Sequence, residues 1–586
     1  MLRQSSPARP DFNRVARWLA ALAALLVVGR PGAREAGTLT LSVVATTDLH
    51  GYVEPRSGLG GLAEFGGYLH NLREVRAADG GGVVLVDAGD TWLGGIASNL
   101  SEGAVVVDAY NALGYTALAV GNHDLEFGAV DAWWARPGDV PDLRGALKAR
   151  ARQARFPFLA ANLVDGASGQ PVAWPNVQPS TLVDVAGIRV GLVGVMTRDA
   201  LSLTLAPNVV GLATAPLAPA IEREARALRR RGATVVVAVA HAGGACADLA
   251  RPDDLTSCDA AAEIFDVARA LPAGLVDAIA AGHTHDAVAH RVAGTPIVQA
   301  YSWGRAFGRV DLAVGREDGV VASAAVHPPH EVCVWRDPAG GACVPEGTPG
   351  ARRAEYEGRP VVPRAEVTGA MRAVVTEVAR LRATPVGPAI PAAIGRGEGR
   401  GNSPLGNLMA DALRDAVPGA DAALSYGGGP GGLRADLPPG PVTLGVLYDV
   451  FPFDNRVDVL ALSGAEIAAL IADHRQRPRW GARGLGLSGL VVTDGCDGAA
   501  GGVVVADGEG RALPAARRLT VAMSDFLAAR ARRLGLGRAL PMAGDPPLVR
   551  EALVAWMRGR AVPAAAYGVT EARWRAAVDT SAVCAP

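Results

Sequence analysis

Lysine is almost missing from this chain: Lys148 stands alone among 57 basic side chains. Any mechanism that needs an active-site lysine must therefore use that one residue. No Gly-x-x-x-x-Gly-Lys-Ser/Thr loop is present, which excludes a P-loop nucleotide site. Charge of either sign is not in excess, with 57 basic against 58 acidic side chains, so no overall electrostatic pull toward nucleic acid or a membrane surface is implied. No internal repeat is visible. None of the six cysteines has metal-site spacing. Beyond the first 36 residues, no stretch is long and apolar enough to cross a bilayer.

At 586 residues the chain is too long for one hydrophobic core. Arg3, Arg9, Arg14 and Arg17 precede the apolar stretch Trp18–Val28, the layout of a signal peptide or an uncleaved N-terminal anchor over residues 1–36. Export to a periplasmic, cell-surface or secreted location follows from that reading. The even cysteine count agrees, with Cys246 close to Cys258 and Cys333 close to Cys343, leaving Cys496 and Cys584 to pair.

Residues 37–345 alternate β-type runs with Ala/Arg/Leu helical stretches, so an α/β fold is expected there. A linker is placed at 346–386, carrying a helix over Ala365–Ala383 with Val367, Met371, Val374, Val375 and Val378 near one side. A second module, 387–586, follows with shorter strands and Gly-rich turns.

Five short blocks each sit just after an apolar β-run: Asp48-Leu49-His50, Asp87-Ala88-Gly89-Asp90, Gly121-Asn122-His123-Asp124, His241-Ala242-Gly243 and Gly282-His283-Thr284-His285. The runs are Leu41–Ala45, Val83–Val86, Thr116–Val120, Val235–Ala240 and Val276–Ala281, and read as buried parallel strands. Residues just past such strands gather on one rim of an open α/β sheet. Carboxylate, amide and imidazole together suit two divalent ions such as Zn, Mn, Fe or Co, with a shared carboxylate holding them roughly 3.5–4 Å apart. A single histidine after a strand is usually a loop residue; five such blocks in succession are a metal-site pattern.

This order of motifs resembles the calcineurin-like metallophosphoesterases, and within them the exported 5′-nucleotidases, whose members include UDP-sugar hydrolases and 2′,3′-cyclic-nucleotide phosphodiesterases. The resemblance implies a four-layer sandwich and two ions, one held by Asp48, His50, Asp90 and His285, the other by Asp90, Asn122, His241 and His283. It implies metal-activated hydroxide attack on the phosphorus of a small phosphoester, not a nucleic-acid polymer. His123 then stabilises the transition state or leaving group, oriented by Glu126 where the family commonly has Asp; Asp124 is the other carboxylate nearby.

The resemblance extends into the second module. Leu405–Ala412 is similar to the family's "LGNLxADA" signature, Gly431–Arg434 to its "GGIR" turn, and Phe451–Asn455 to its "PF-N" segment. It implies phosphate contacts from Arg434 and Arg400 and base stacking by Phe453. The family's second stacking aromatic is missing: Ala529-Arg530-Ala531-Arg532-Arg533 runs where it should be, leaving Phe526 or Tyr426 as substitutes. Nucleotides are the expected substrate class. The alternatives are a non-nucleotide, cyclic or UDP-sugar phosphoester, or a surface binding protein that kept the fold without catalysis.

Overall fold

In this computed structural model the described residues are 37–130, 142–339, 341–397, 401–428, 432–453, 455–476, 484–494, 503–514, 517–542, 546–558, 560–562, 564–567 and 573–575. Residues 1–36, where a signal or anchor is expected, lie outside them, as do Arg400, Cys496 and Cys584.

The N-terminal half is built on two facing sheets. Its strands are β1 (Thr38–Thr46), β2 (Gly82–Asp87), β3 (Ala117–Ala119), β4 (Phe158–Leu159), β5 (Val177–Gln178), β6 (Ser180–Val185), β7 (Ile188–Met196), β8 (Val235–His241), β9 (Ala278–Ala281), β10 (Ala287–Val292), β11 (Thr295–Ala300), β12 (Ala306–Gly315) and β13 (Val321–Glu331). One sheet runs β13-β12-β1-β2-β3-β4-β5 and the other β10-β11-β9-β8-β7-β6. The apolar runs read from the sequence are β1, β2, β3, β8 and β9, and β1–β2, β2–β3 and β8–β9 are parallel pairs. They do not share one open sheet, however. β1–β3 belong to the first sheet and β8–β9 to the second, so the rim of ligand blocks is formed by two sheets side by side.

Strand alternation explains the layering. Leu41, Val43, Val84 and Val86 point inward and meet Val190, Leu192, Val235 and Val237 of the opposite sheet. Val44 and Leu85 point outward, onto a core shared with helices Leu62–Asp79 and Ala104–Leu113. Val236, Ala238 and Ala240 face outward from the second sheet, onto helices Leu217–Arg230 and Glu263–Ala270. The first of these helices presents Leu217, Ala220, Ile221, Ala225 and Leu228 as one apolar stripe. The result is the helix–sheet–sheet–helix sandwich that the motifs implied. Because both faces of the central strands are covered, their sequences are continuously apolar rather than alternating.

Helix Ala365–Arg382 is not a free connector. Val367, Met371 and Val378 are buried in the N-terminal outer core with Val44, Leu85 and Tyr110. Val374 and Val375 pack against the same core half-buried.

The C-terminal half carries a five-stranded sheet in the order Leu485–Ser488, Ala422–Tyr426, Arg518–Ser524, Val457–Ser463, Arg538–Ala539. Helix Pro404–Ala416 covers one face; its start is capped by Ser403, whose hydroxyl accepts from the Gly406 N–H at 3.1 Å. Gly406 and Gly486 touch so closely that a Cβ on Gly486 would lie 1.9 Å from the Gly406 carbonyl carbon. Asn407 completes the tie, its Oδ1 accepting from the Leu487 N–H at 2.8 Å. The Gly406-Asn407 signature thus locks helix to strand.

Candidate metal centre

The ends of β1, β2, β3, β8 and β9 deliver seven side chains to one place, in two groups. Asp48, His50 and His285 form one cluster of converging donor atoms; Asp90, His241 and His283 form the other. In the first, His50 Nε2 lies 3.0 Å from His285 Nε2, and His285 Nε2 lies 3.4 Å from Asp48 Oδ1. In the second, His241 Nε2 lies 3.1 Å from Asp90 Oδ2, 3.1 Å from Asn122 Oδ1 and 3.2 Å from His283 Nδ1. Two donors each about 2.1 Å from one ion, at angles from square to tetrahedral, stand about 3.0–3.4 Å apart. The donor set therefore fits a divalent cation in each cluster.

Orientation of the rings is settled from behind. His50 Nδ1 donates to the Leu93 carbonyl at 2.8 Å and His241 Nδ1 to that of Ala88 at 2.8 Å, which turns each Nε2 lone pair toward its cluster. Asn122 donates its Nδ2 to the Leu203 carbonyl at 3.4 Å, so its oxygen faces His241. Asp90 divides its two oxygens: Oδ1 accepts from the His123 N–H at 2.8 Å, while Oδ2 lies 3.1 Å from His241 Nε2 and 4.0 Å from His50 Nε2. That single oxygen stands between the clusters, the position a bridging ligand needs.

Electrostatics agree with a cation site. Burial, then the charge of His285, pulls the His50 ring down to about 3. Burial, then His241, pulls His283 down to about 4. Both rings are thus neutral, the form that binds metal. Burial opposes charge on His241, yet the adjoining Asp90 carboxylate lifts the ring to about 10. A divalent ion supplies the positive charge that this proton otherwise provides.

Five of the seven candidate ligands hold left-handed backbone: Asp48 at φ 50°, His50 at 49°, Asp90 at 55°, His283 at 79° and His285 at 59°. Such φ values cost non-glycine residues about 1–3 kcal/mol each and persist only where surrounding contacts over-determine them. Gly89, at φ 94°, permits close approach: a Cβ there would lie 2.9 Å from His241 Nδ1.

His123 lies in the same cleft, its Nδ1 2.7 Å from Glu126 Oε2. Burial opposes its charge, but Glu126 and Asp90 raise the ring to about 9. Asp124 points elsewhere, onto the backbone N–H groups of Asp90, Thr91 and Gly121.

The cleft holds about 660 Å³ and is lined from both halves, with His50, Asp90, His123 and His285 facing Arg434 and Phe526. Arg434 is half-buried, and its guanidinium lies 5.0 Å from the Phe453 ring centroid. Phe453 itself is only 6% exposed and belongs to the core with Leu433, Val450 and Phe451. It does not line the cleft, so the stacking role expected of it is corrected: the ring supports Arg434 from below. Tyr426 is likewise core, packed with Leu424 and Leu485, which leaves Phe526 as the aromatic at the cleft among those considered. Arg198 also lines this cleft, its backbone N–H and Nε each 3.3 Å from Glu263 Oε1. A lone arginine in a loop gave no sequence signal for that position.

Residues 383–533 match the family described as 5′-nucleotidase, C-terminal domain. The chain is 26% identical over 453 residues to Endonuclease YhcR of Bacillus subtilis (strain 168), covering 74% of this chain and 32% of that protein. It is 27% identical over 296 residues to Protein UshA of Yersinia enterocolitica serotype O:8 / biotype 1B, covering 47% of this chain and 49% of that protein. The chain thus spans a third to a half of the length of these curated relatives, 32% and 49%. The fold matches the crystal structure of a 5′-nucleotidase precursor from Thermus thermophilus with a TM-score of 0.63 at 23% identity, covering 89% of this chain and 98% of that one. The C-terminal family match, the sequence relatives and the shared fold support the 5′-nucleotidase family resemblance read from the motifs.

Proposed function

We propose that this chain is a metal-dependent phosphoric ester hydrolase of 5′-nucleotidase type, using two divalent ions to release phosphate from nucleotides or related small phosphoesters. The observation that carries this reading is the pair of donor clusters with Asp90 Oδ2 between them, 3.1 Å from His241 and 4.0 Å from His50, in a cleft that also holds Arg434. Asp48, His50, Asp90 and His285 would hold one ion, and Asp90, Asn122, His241 and His283 the other. When bound, the ions supply an activated water and neutralise charge on the phosphoryl group.

The chain's own residues divide the remaining work. Arg434 offers paired N–H donors to phosphate oxygens, and its contact with the Phe453 ring restricts its rotamers before binding. His123 carries a proton, held in place by Glu126, and donates a hydrogen bond to the oxygen on which negative charge builds up. A site stripped for binding alone would be expected to lack some ligands, and all seven positions are filled.

Substrate class is the open choice within this reading. With Phe453 in the core, the described cleft lacks the pair of stacking aromatics that the family resemblance implied, which favours testing non-nucleotide and cyclic phosphoesters beside nucleotides. Export also belongs to the proposal, supported by the residue 1–36 pattern and two disulfides. Among the described residues no helix is long and apolar enough to cross a membrane.

The test is phosphate release from nucleoside monophosphates, UDP-sugars, 2′,3′-cyclic nucleotides and sugar phosphates. Each is assayed after chelation and after adding back Mn, Zn, Co or Fe. Release that depends on added metal is expected. Full turnover by metal-free protein, or none on any substrate with metal bound, would overturn the reading.

A further inference from the structure

The loop that carries Asp90 has every backbone N–H from 88 to 91 taken up by a buried acceptor. Ala88 donates to the Thr46 carbonyl at 2.8 Å. Gly89 donates to Asp87 Oδ1 at 2.9 Å, Asp90 to Asp124 Oδ2 at 3.1 Å and Thr91 to Asp124 Oδ1 at 2.8 Å. Two carboxylates, neither among the candidate ligands, thus grip three consecutive peptide groups.

Both carboxylates are buried, at 0% exposure for Asp87 and 1% for Asp124, and both are anchored from outside the loop. Asp87 Oδ2 accepts from Thr46 Oγ1 at 2.6 Å and from Tyr110 Oη at 2.8 Å. Asp87 Oδ1 also accepts from Thr91 Oγ1 at 3.1 Å. Tyr110 stacks on Tyr115 with ring centroids 3.8 Å apart, and Tyr115 Oη lies 2.7 Å from Thr46 Oγ1. Asp124 Oδ2 accepts from Gly121 at 2.8 Å, which joins the Asp90 loop to the block holding Asn122 and His123.

A buried carboxylate is costly unless its acceptor positions are filled. Hydroxyls of Thr46, Tyr110 and Thr91 and the Gly121 N–H fill part of these positions, and the N–H groups of Gly89, Asp90 and Thr91, beside the left-handed backbone of Asp90, fill the rest. The cost of burial and the cost of strain are thereby offset in one network, and its product is the position of Asp90 Oδ2 between the clusters.

We propose that Asp87 and Asp124 are positioning residues that clamp the Asp90 loop in its bridging geometry, with Tyr110 and Thr46 fixing Asp87 in turn. The inference rests on the two-ion reading above. It differs from that reading in assigning metal affinity to residues that touch no ion. Tyr110, on helix Ala104–Leu113, is the most remote member, and its hydroxyl is the cleanest single atom to remove.

The experiment is calorimetric titration of the chelated full-length chain with Mn²⁺, in the absence of substrate, beside the melting temperature of each metal-free variant. Tyr110→Phe removes one donor to Asp87. Thr91→Val removes another, and Thr91→Ser restores the hydroxyl. Asp124→Asn takes away an oxygen that accepts two N–H groups. Tyr110→Phe, Thr91→Val and Asp124→Asn should each weaken Mn²⁺ binding about 10–100-fold, with Thr91→Ser returning close to wild type. Should Asp124→Asn fail to fold, Tyr110→Phe and the Thr91 pair decide the matter. Wild-type affinity in those variants, with only the melting temperature lowered, overturns the inference. Wild-type protein that binds Mn²⁺ but releases no phosphate refutes the hydrolase reading alone. Wild-type protein that binds none of Mn²⁺, Zn²⁺, Co²⁺ and Fe²⁺ in the same titration removes both.

Discussion

The Nε2 atoms of His50 and His285 stand 3.0 Å apart, although 235 residues separate them in the chain. His50 donates its other ring nitrogen to Leu93, so its lone pair is aimed at the His285 nitrogen. A cation bound between the two rings would take that lone pair, and one from His285, in place of any hydrogen bond between them.

Asp90 belongs to the second cluster but its Oδ2 lies only 4.0 Å from His50 of the first, the place proposed for a bridging ligand, so its substitution should cost more metal than substitution of any other candidate ligand. Asp90→Asn is expected to leave less than one ion per chain after dialysis, where His285→Ala keeps close to one. Metal content by plasma mass spectrometry checks this. Two ions retained by Asp90→Asn would remove it from the bridging role.

His123→Ala should lower kcat by roughly 10²–10³-fold, as loss of a donor to developing negative charge does elsewhere, while metal content stays near normal. Glu126→Gln keeps the shape but loses the carboxylate 2.7 Å from the ring, and should reproduce part of the loss, roughly 10-fold. Asp124→Asn should act by a different route, through metal affinity, and excess metal should recover much of its activity. Equal and metal-insensitive losses in Glu126→Gln and Asp124→Asn would contradict this division.

Arg434→Ala removes a charged donor from the cleft and should reduce kcat/KM on the order of 10–100-fold, mainly through KM, from a contact worth about 1.5–3 kcal/mol. Phe453→Leu should give a smaller effect in the same direction, because the ring lies beneath the guanidinium. Steady-state kinetics on the best substrate compares them. An effect of Phe453→Leu limited to aromatic leaving groups would restore a stacking role for that ring.

Cys246–Cys258 and Cys333–Cys343 are disulfides, closing sequence separations of 12 and 10 residues. Loops this short place each bond at about 2–3 kcal/mol of stability. Non-reducing peptide mapping should recover both linked pairs, and reduction should lower the melting temperature. Identical melting curves with and without reductant would count against both.

His330 is held neutral by burial, with Arg336 and then Arg309 adding repulsion, and its ring falls to about 4. Folding thus favours the uncharged ring. Its contribution is fully present above the ordinary imidazole value of about 6.5 and is lost as pH falls through about 4. His330→Phe should flatten the decline in unfolding free energy between pH 7 and pH 4 by an amount on the order of 2 kcal/mol, read from denaturant unfolding at each pH. Parallel wild-type and variant profiles would show that other groups carry that decline.

Much of the site is legible in the sequence because its donors follow apolar strands, and strand runs are local patterns. Asp48, His50, Asp90, Asn122, His241, His283 and His285 can be named from their positions after five β-runs. The order of blocks also points to the four-layer fold. Local pattern carries no information on which strands pair, so it suggests one open rim where two sheets contribute. For the same reason the motif around Phe453 offers the ring for base stacking without showing that it packs with Leu433 and Val450. Helix Ala365–Arg382 reads as a connector because its apolar side names no partner; packing on the N-terminal core supplies one.

The sequence by itself determined the chemistry available: carboxylate, amide and imidazole in a fixed order along an α/β pattern, with almost no lysine. Tertiary structure alone decided the geometry. It brought His50 to His285, placed Asp90 Oδ2 between two clusters, and held five candidate ligands at positive φ against their own preference. The physical reason is that left-handed backbone and the crowding of carboxylates and imidazoles in a buried site are each unfavourable locally. They are stable here because distant buried groups, among them Asp87, Asp124, Leu93 and Ala88, satisfy the hydrogen bonds that fix them.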